Sequence, residues 1–264
     1  MALLVIVLAG GYLAQPTVAS ASAGRPALTV QEAGNSRLCE RYQHLDVSNG
    51  DGPGYTIYND MFGSSGQCLV NQGGGTNFRV TASDAFSRKV RPVGFPDIFY
   101  GCSRGTCSPG TALPRQVSAL HDPRVSWYGT DRASGQWNAA FDIWFGQRRQ
   151  VSGQPDGAEL MIWLDERGAA VPTYDGGTYR HEDGATWYLD HWRTCQDRTC
   201  WNYVRFWRVR KTTHVTRLAL GPLIDAAEHV GLIKRSWWLE SIAAGYELWQ
   251  HGAGLATTWF SASP

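Results

Sequence analysis

Apolar and polar positions alternate in short runs along most of this chain, and clusters of Gly, Pro, Asn and Asp separate the runs. Alternation with a period of two residues is typical of half-buried β-strands, and closely spaced turn residues are typical of sandwiches and barrels. The runs predicted as strands are residues 55–59, 76–81, 116–120, 137–145, 160–164, 186–191, 203–209, 241–249 and 256–260. Residues 218–230 have apolar positions at helical spacing and are predicted to form the single helix. The pattern indicates an all-β sandwich with one short helix.

Two segments of the chain carry an apolar face and, opposite to it, a polar and aromatic face. In residues 137–145 and 159–164 the predicted core positions are Trp137, Ala139, Phe141, Ile143, Phe145, Leu160, Ile162 and Leu164. The opposite face carries Asn138, Ala140, Asp142, Trp144, Glu159, Met161 and Trp163. Because alternate side chains of a strand lie on the same face, Asp142 and Glu159 can share one face of a sheet. Curvature of that sheet would turn the shared face into a groove.

Glu159 and Glu247 are the candidate catalytic residues, because apolar side chains surround both in the sequence and no basic residue lies close to either. A glycosidase needs such a pair, since one carboxylate attacks the sugar and the other protonates the leaving oxygen. Asp142 is the candidate third carboxyl, expected to hydrogen-bond Glu159 and to tune the pKa values of the pair. Alternatively, both glutamates are solvated residues of a polar face, and Asp142 caps a turn or pairs with an arginine.

The tryptophans divide between core and groove. Those expected in the core are Trp137, Trp187 and Trp201. Those that share a strand face with a candidate acid, and are therefore expected to line the groove, are Trp144, Trp163 and Trp249. Because the apolar face of a sugar stacks well on an aromatic ring, such a groove suits a polysaccharide.

The composition favours an uncharged ligand. The 264 residues include 24 Lys and Arg against 23 Asp and Glu, so the chain lacks the basic surface expected for binding nucleic acid or an anionic membrane. Twelve Trp and eleven Tyr suit strands and sugar-stacking surfaces, and thirty Gly suit tight turns between many strands. The length allows one large β domain or two small ones, and we expect one, acting as a monomer.

The first 23 residues resemble a secretory signal, with an apolar run followed by small residues that end in Ala21, Ser22 and Ala23. We expect cleavage after Ala23, a flexible polar leader at 24–38, and a single domain at 39–264, extracellular and free of the membrane in its mature form. No Lys or Arg precedes the apolar run, so the usual positive segment is missing. A membrane anchor is the alternative, disfavoured because the run is shorter than about 18 residues.

The six cysteines are interpreted as three local disulfides. Their spacing pairs Cys102 with Cys107 and Cys195 with Cys200, which leaves Cys39 to pair with Cys68. An exported protein favours disulfides. The alternative is a zinc site, which the four-residue spacers fit poorly because zinc knuckles usually have two-residue spacers. The chain also lacks the HExxH, P-loop and Rossmann patterns, so other catalytic schemes find little support in the sequence.

Six segments in order along the chain resemble the compact endoglucanases of glycoside hydrolase family 12, in the bacterial, actinobacterial-type branch. They are residues 58–63 followed by Cys68, residues 95–96 with 101–107, and residues 113–117, 137–145, 157–164 and 244–250. The resemblance implies a β-jelly roll of two packed antiparallel sheets with a cleft on the concave one. It implies a retaining mechanism without metal or organic cofactor, with Glu159 as nucleophile, Glu247 as general acid/base and Asp142 as supporting carboxyl. The expected sugar-binding residues are Asn59, Phe62, Asn138, Trp144, Met161, Trp163 and Trp249.

The expected function is that of a secreted endo-β-1,4-glucanase. Phe62 stands where the family pattern usually has Trp, and Leu248 where related bacterial enzymes often have Pro. The segment around Cys195 and Cys200 also looks longer than usual. These departures bear on the preferred polymer, so a xyloglucan or mixed-linkage glucan specialist is an alternative. A lectin-like jelly roll without catalysis and a xylanase are two further alternatives.

Overall fold

The computed structural model describes residues 35–264, except for 51, 65, 90, 170–176 and 181–183. The described chain forms two packed β-sheets and one α-helix. In chain order the strands are β1 (Arg37–Leu38), β2 (His44–Val47), β3 (Tyr55–Asp60), β4 (Cys68–Val70), β5 (Phe78–Ala82), β6 (Phe95–Ser103), β7 (Thr106–Cys107), β8 (Arg115–Gln116), β9 (Arg124–Gly129), β10 (Gly135–Gly146), β11 (Ala158–Arg167), β12 (Thr178–Arg180), β13 (Thr186–Gln196), β14 (Thr199–Arg208), β15 (His214–Ala219), β16 (Trp238–Gly245), β17 (Leu248–His251) and β18 (Ala256–Ser263). The α-helix, α1, is Gly221–His229.

The larger sheet has the order β12-β13-β14-β11-β10-β16-β6-β3-β2, and β17, β7 and β8 extend it beside β10, β6 and β16. The smaller sheet has the order β1-β4-β5-β18-β9-β15. This is the β-jelly roll that the resemblance implies. One neighbouring pair corrects the expectation of antiparallel sheets, because β11 and β14 run parallel.

The core lies between the two sheets and is built from alternate residues of their strands. In β10 and β11 the eight positions predicted as apolar core, from Trp137 to Leu164, all belong to one buried cluster. Their neighbours Ala140, Met161 and Trp163 belong to a second cluster on the opposite side of the larger sheet. We call that opposite side the cleft face. The period-two interpretation of these two strands is therefore confirmed.

Two predicted strands are corrected by local backbone geometry. Residues 116–120 form only the end of β8, followed by a single 3-10 turn, Val117–Ala119. The predicted strand 241–249 is interrupted after Gly245 and resumes at Leu248, so two residues stand outside the strands. The helix begins later than predicted, at Gly221, because β15 continues to Ala219. Pro222 lies in its first turn, where a missing N–H costs no helical hydrogen bond.

The three predicted disulfides are present: Cys39–Cys68, Cys102–Cys107 and Cys195–Cys200. The first ties β4 to the segment that follows β1, and the other two close hairpins of the larger sheet. The predicted secretory signal and residues 24–34 of the predicted leader lie outside the described residues. The last two residues of that leader form β1. No helix in the described part of the chain has the length and apolar character needed to cross a bilayer.

Candidate active site

The cleft face of the larger sheet holds an open cleft of about 510 Å³. Its lining residues come from β3, β6, β10, β11, β13, β14 and β17 and from the loops between them: Asp60, Phe62, Arg91, Pro92, Phe95, Arg104, Asp142, Trp144, Glu159, Met161, Trp163, Trp192, Thr194, Gln196, Trp201, Tyr203, Glu247 and Trp249. In sheet order, β3 and β13 are six strand spacings apart, or roughly 29 Å at about 4.8 Å each. A cleft that crosses so many strands has room for several sugar units.

Glu159 and Asp142 reach the cleft from neighbouring strands. Glu159 on β11 lies opposite Trp144 of β10, and Asp142 lies opposite Met161. The Trp201 indole Nε1–H donates to Glu159 Oε2 at 2.6 Å, and the Trp144 Nε1–H donates to Asp142 Oδ2 at 2.8 Å. The predicted hydrogen bond between Asp142 and Glu159 is not formed: Asp142 Oδ1 has no partner among the described residues. Two indole groups therefore orient these carboxyls.

Glu247 occupies the break between β16 and β17. The Asn138 side chain on β10 holds it twice, because its amide donates to Glu247 Oε2 and its carbonyl oxygen accepts the Glu247 backbone N–H at 3.0 Å. The Asn138 backbone N–H donates to the Glu247 carbonyl at 3.1 Å. Tyr246 points into the core, as expected, with its hydroxyl hydrogen-bonded to the Ala256 carbonyl at 2.7 Å. Tyr246 and Glu247 therefore lie on opposite faces of the sheet at the break, as in a regular strand. The Glu247 backbone stays bonded to β10.

Burial is the largest cause of the raised pKa values of Asp142, Glu159 and Glu247. It raises the pKa of Glu247 to about 8, against the Asn138 hydrogen bond, which lowers it. It raises the pKa of Asp142 to about 7, against the Trp144 hydrogen bond. Burial and the neighbouring Asp142 charge raise the pKa of Glu159 well above its usual range, and the Trp201 hydrogen bond opposes them. Since the carboxyls interact, they titrate as a group, and the group retains protons at neutral pH.

Aromatic side chains form one end of the cleft, which we call the aromatic end. Trp163, Trp249 and Tyr203 are buried on the cleft face, and the Trp192 ring stacks on Tyr203 at 4.1 Å. Behind these rings the fully buried Arg205 hydrogen-bonds Asp190 through Nε at 3.1 Å and through Nη2. Its guanidinium lies over the rings of three tryptophans, at 4.7 Å from Trp163, 5.7 Å from Trp192 and 5.3 Å from Trp207.

Acidic side chains form the other end, which we call the acidic end. Asp60 at the end of β3 and Arg104 after β6 line the cleft, with Asp97 of β6 buried nearby. Arg104 Nη1 lies 3.8 Å from Asp60 Oδ2. Burial raises the pKa of Asp60 to about 6, and Arg104 opposes the shift. Burial, followed by the charges of Asp60 and Asp142, raises the pKa of Asp97 well above its usual range.

The structure brings most of the predicted site residues together. The two glutamates, Asp142 and the predicted binding residues Phe62, Trp144, Met161, Trp163 and Trp249 all line the cleft. Asn59 does not: it is fully buried, and its side chain bonds the Gln67 side chain at 2.7 Å and the Glu40 carbonyl at 3.0 Å. Asn138 is also buried and reaches Glu247 instead of open space. The expected sugar contact is therefore wrong for both asparagines.

Trp201 corrects the prediction about core tryptophans. Trp137 and Trp187 belong to the core between the sheets, as predicted, but Trp201 lines the cleft and bonds Glu159. The cleft residues that the sequence analysis did not identify include Asp60, Arg104, Trp192 and Tyr203. Tyr203 lies next to Glu159 only because β14 pairs with β11, a long-range contact with no local signal. Within the described residues, no group of three or more His, Cys, Asp or Glu side chains could hold a metal ion.

Comparison with known proteins identifies the family. A sequence model of glycosyl hydrolase family 12 matches residues 53–263. The probable cellulase Cel12b of Mycobacterium tuberculosis (strain ATCC 25618 / H37Rv) is 26% identical over 161 residues, covering 58% of this chain and 97% of that protein. The solved endoglucanase cel12A from Rhodothermus marinus is 36% identical, with a TM-score of 0.78, covering 86% of this chain and 98% of that one. The chain belongs to glycosyl hydrolase family 12.

A second solved structure, of a metagenome-derived glycoside hydrolase family 12 endoglucanase, is 33% identical with a TM-score of 0.79 and covers 88% of this chain and 98% of its own. Family membership confirms the resemblance, the jelly roll and the predicted class of enzyme, a retaining glycoside hydrolase. It also confirms a polysaccharide as the class of substrate. The cleft on the larger sheet is where this family 12 chain presents the half-buried carboxyls of Asp142, Glu159 and Glu247.

Proposed function

We propose that this protein is a secreted endo-β-1,4-glucanase that cleaves internal β-1,4-glucosidic bonds of soluble or amorphous glucan with retention of configuration. The observation that carries the proposal is that Glu159 and Glu247, both half-buried, line one open cleft, with no lysine or arginine bonded to either among the described residues. Each is oriented by a hydrogen bond from a buried side chain, Trp201 for Glu159 and Asn138 for Glu247. A binding module has no need of such a pair.

In the first step Glu247 is the acid and Glu159 the nucleophile. The raised pKa of Glu247, about 8, keeps its proton available at neutral pH. A Glu159 carboxylate oxygen attacks the anomeric carbon, the bond to the leaving sugar oxygen breaks, and the Glu247 proton moves to that oxygen. The attack requires the ionised form of Glu159, which the Trp201 N–H favours and which burial and the Asp142 charge oppose. A glycosyl ester of Glu159 remains.

In the second step Glu247 is a base. Its carboxylate takes a proton from water, the hydroxide oxygen attacks the anomeric carbon, and the Glu159 ester bond breaks. Glu247 is protonated again and Glu159 is free. Asp142, whose Trp144 bond fixes its orientation, is the supporting carboxyl: its charge raises the pKa values of both glutamates and so couples their protonation.

Xyloglucan or mixed-linkage glucan is the second candidate substrate. Phe62 lines the acidic end and is 37% exposed, and a phenyl ring offers less stacking area than the indole usual at this position in the family. Weaker stacking at this position favours a polymer whose branches or bends make further contacts with the cleft. Rates of reducing-sugar release from carboxymethylcellulose, barley glucan and xyloglucan would rank the candidates.

Export is supported by the three disulfides, which form in oxidising compartments, and by the signal-like first 23 residues. Expression of the full chain in an actinobacterial host should release the protein into the medium. Its N-terminus, read by Edman degradation, is expected at Gly24. Recovery of the uncleaved chain from the cell pellet alone would contradict export.

The roles of the two glutamates are tested by Glu159→Gln and Glu247→Gln. Each variant is expected to lose at least about three orders of magnitude in kcat/KM on barley glucan while its melting temperature is unchanged or raised. Glu228→Gln, on α1 and outside the cleft lining, is the matched control and should keep full activity. Turnover within tenfold of the wild type in either catalytic variant would refute the assignment. Proton NMR during the first minutes of hydrolysis should show the β-anomer of the new reducing end, whereas the α-anomer would exclude retention.

A further inference from the structure

Arg104 has a backbone conformation that its residue type does not favour. It lies at the tip of the hairpin between β6 and β7, which the Cys102–Cys107 disulfide closes. Its φ is 48°, and the following Gly105 has a φ of 103°. Two-residue hairpin turns with positive φ at both positions favour Asn or Asp followed by Gly, and other residues there cost backbone energy. An arginine held in this conformation is a reason to look for function at its side chain.

The Arg104 side chain lines the acidic end of the cleft and keeps its hydrogen-bonding capacity free. Nη1 lies 3.8 Å from Asp60 Oδ2, beyond hydrogen-bond range, and the guanidinium donates no hydrogen bond to any described residue. Asp60 Oδ1 is buried and likewise has no partner among the described residues. The Arg104 side chain is 37% exposed and that of Asp60 is 13% exposed. A charged donor and a charged acceptor thus lie side by side in the cleft wall without a hydrogen bond between them.

This pairing suits the chemistry of a sugar. Each hydroxyl both donates and accepts, so adjacent hydroxyls of one sugar unit can accept from a guanidinium and donate to a carboxylate. Phe62 lines the same end of the cleft and offers a ring for the apolar face of that unit. We propose that Arg104 and Asp60 form a sugar-binding pair that holds one unit of the glucan at the acidic end, by a hydrogen bond from Arg104 and one to Asp60. The inference rests on the proposed glucanase function and adds a binding pair to it.

Electrostatics agrees with this assignment. Arg104 holds the pKa of Asp60 down to about 6 against burial, so Asp60 is mostly ionised at neutral pH and can accept. A hydrogen bond to a charged group is stronger than one between neutral groups. Asp97 and Asp142 also face this region, and Arg104 opposes the rise in the pKa of both.

The test uses one substitution at two matched arginines. Arg217 on β15 of the smaller sheet has a φ of 51°, is exposed and does not line the cleft. Asn suits a positive φ at either position, so neither Arg104→Asn nor Arg217→Asn should lower the melting temperature by more than a few degrees. With Glu159→Gln present to stop turnover, cellohexaose binding is measured by calorimetry. Arg104→Asn should raise the Kd at least about tenfold, and Arg217→Asn should leave it within twofold.

A second arm separates sugar binding from simple charge balance. If Arg104 only neutralised Asp60, then Asp60→Asn would restore the Kd of the Arg104→Asn protein to within twofold of the parent, and that result would overturn the proposal. The expected result is that the double variant stays at least about tenfold weaker. An unchanged Kd in Arg104→Asn alone would also overturn it. Should that variant not fold, Arg104→Lys keeps the charge but loses the planar fork, and should bind at least about threefold more weakly.

Failure of the inference can be told apart from failure of the proposed function. Suppose that Arg104→Asn weakens cellohexaose binding in the Glu159→Gln background as expected, but the wild type cleaves no glucan. That result would reject the glucanase proposal and keep the binding pair. A wild type that cleaves glucan while Arg104→Asn has unchanged KM and Kd would reject the binding pair and keep the glucanase. The two outcomes require different variants and different readouts.

Discussion

The two ends of the cleft each place an arginine beside an aspartate, yet the pairs differ in every physical respect. At the aromatic end Arg205 and Asp190 are buried, hydrogen-bonded to each other and covered by three indole rings. At the acidic end Arg104 is partly exposed and stands 3.8 Å from Asp60, without a hydrogen bond between them. A buried pair whose two members hydrogen-bond each other serves the architecture of the sheet. An open pair with unused donors and acceptors is suited to a ligand.

The two pairs also differ in how their charges change the stability of the folded protein. At the aromatic end the Asp190 carboxylate balances the charge of Arg205, which also lies against three indole rings. Removing that carboxylate leaves a buried cation uncompensated. At the acidic end the charge of Arg104 acts on Asp60, Asp97 and Asp142 alike, so removing one carboxyl relieves repulsion and desolvation. The same substitution, Asp to Asn, should therefore change stability in opposite directions at the two ends.

The largest effect is expected at the aromatic end. Asp190→Asn should lower the free energy of unfolding by about 3–5 kcal/mol, because the fully buried Arg205 loses its counter-ion. Urea unfolding at pH 7 measures it. The double variant Asp190→Leu with Arg205→Met, which removes both charges and keeps apolar bulk, should recover most of the loss. A loss below about 1 kcal/mol for Asp190→Asn would mean that the buried pair is not structural.

An intermediate effect is expected in the pH dependence of activity, because charges at both ends of the cleft act on the pKa of Glu247. After burial and the Asn138 hydrogen bond, the Asp142 charge raises its pKa and the Arg205 charge lowers it, with a result of about 8. Since the general acid must be protonated, kcat/KM on a soluble glucan should fall about tenfold per pH unit above that value. Asn138→Ala removes a bond that favours the ionised form and should move this alkaline limb to higher pH. If the alkaline limb of Asn138→Ala moved to lower pH, the Asn138 hydrogen bond would not be what lowers the pKa of Glu247.

The smallest effect is expected at the acidic end. The folded protein holds the Asp97 proton to higher pH than the unfolded chain, so between about pH 3.9 and the raised folded pKa it binds more protons. The contribution of Asp97 to the free energy of unfolding therefore falls as the pH rises through that window. Asp97→Asn should raise that free energy on the order of 1 kcal/mol at pH 8 and change it little at pH 4. Equal destabilisation at both pH values would remove the contrast with Asp190.

Much of the site could be predicted because its signals are local. The alternation in β10 and β11 places Asp142, Glu159 and Trp163 on one face whatever the strands pair with, since successive side chains of a strand point to opposite sides. Glu247 and Tyr246 follow the same rule even across the break before β17. The disulfides between Cys102 and Cys107 and between Cys195 and Cys200 follow from spacing, because five residues are enough to close a hairpin.

The residues that the sequence analysis misplaced or missed have roles that depend on a distant neighbour. Trp201 has the pattern of a core residue, and only the parallel pairing of β14 with β11 brings its N–H to Glu159. Asn59 has the pattern of a cleft residue, but Gln67 engages it inside the protein. Arg104 is an unremarkable residue between two cysteines until the hairpin directs it to Asp60.

The sequence by itself determined the all-β class, the two faces of β10 and β11, the cysteine pairs and the identity of the candidate acids, because periodicity and short covalent spacing act within a few residues. Only the tertiary structure decided which strands became neighbours, which carboxyl met which indole or amide, and which arginine was buried and which left open. Those outcomes depend on contacts between residues up to more than a hundred positions apart, such as Asn138 with Glu247. Burial, which raises the pKa values in the cleft, exists only once those contacts are made.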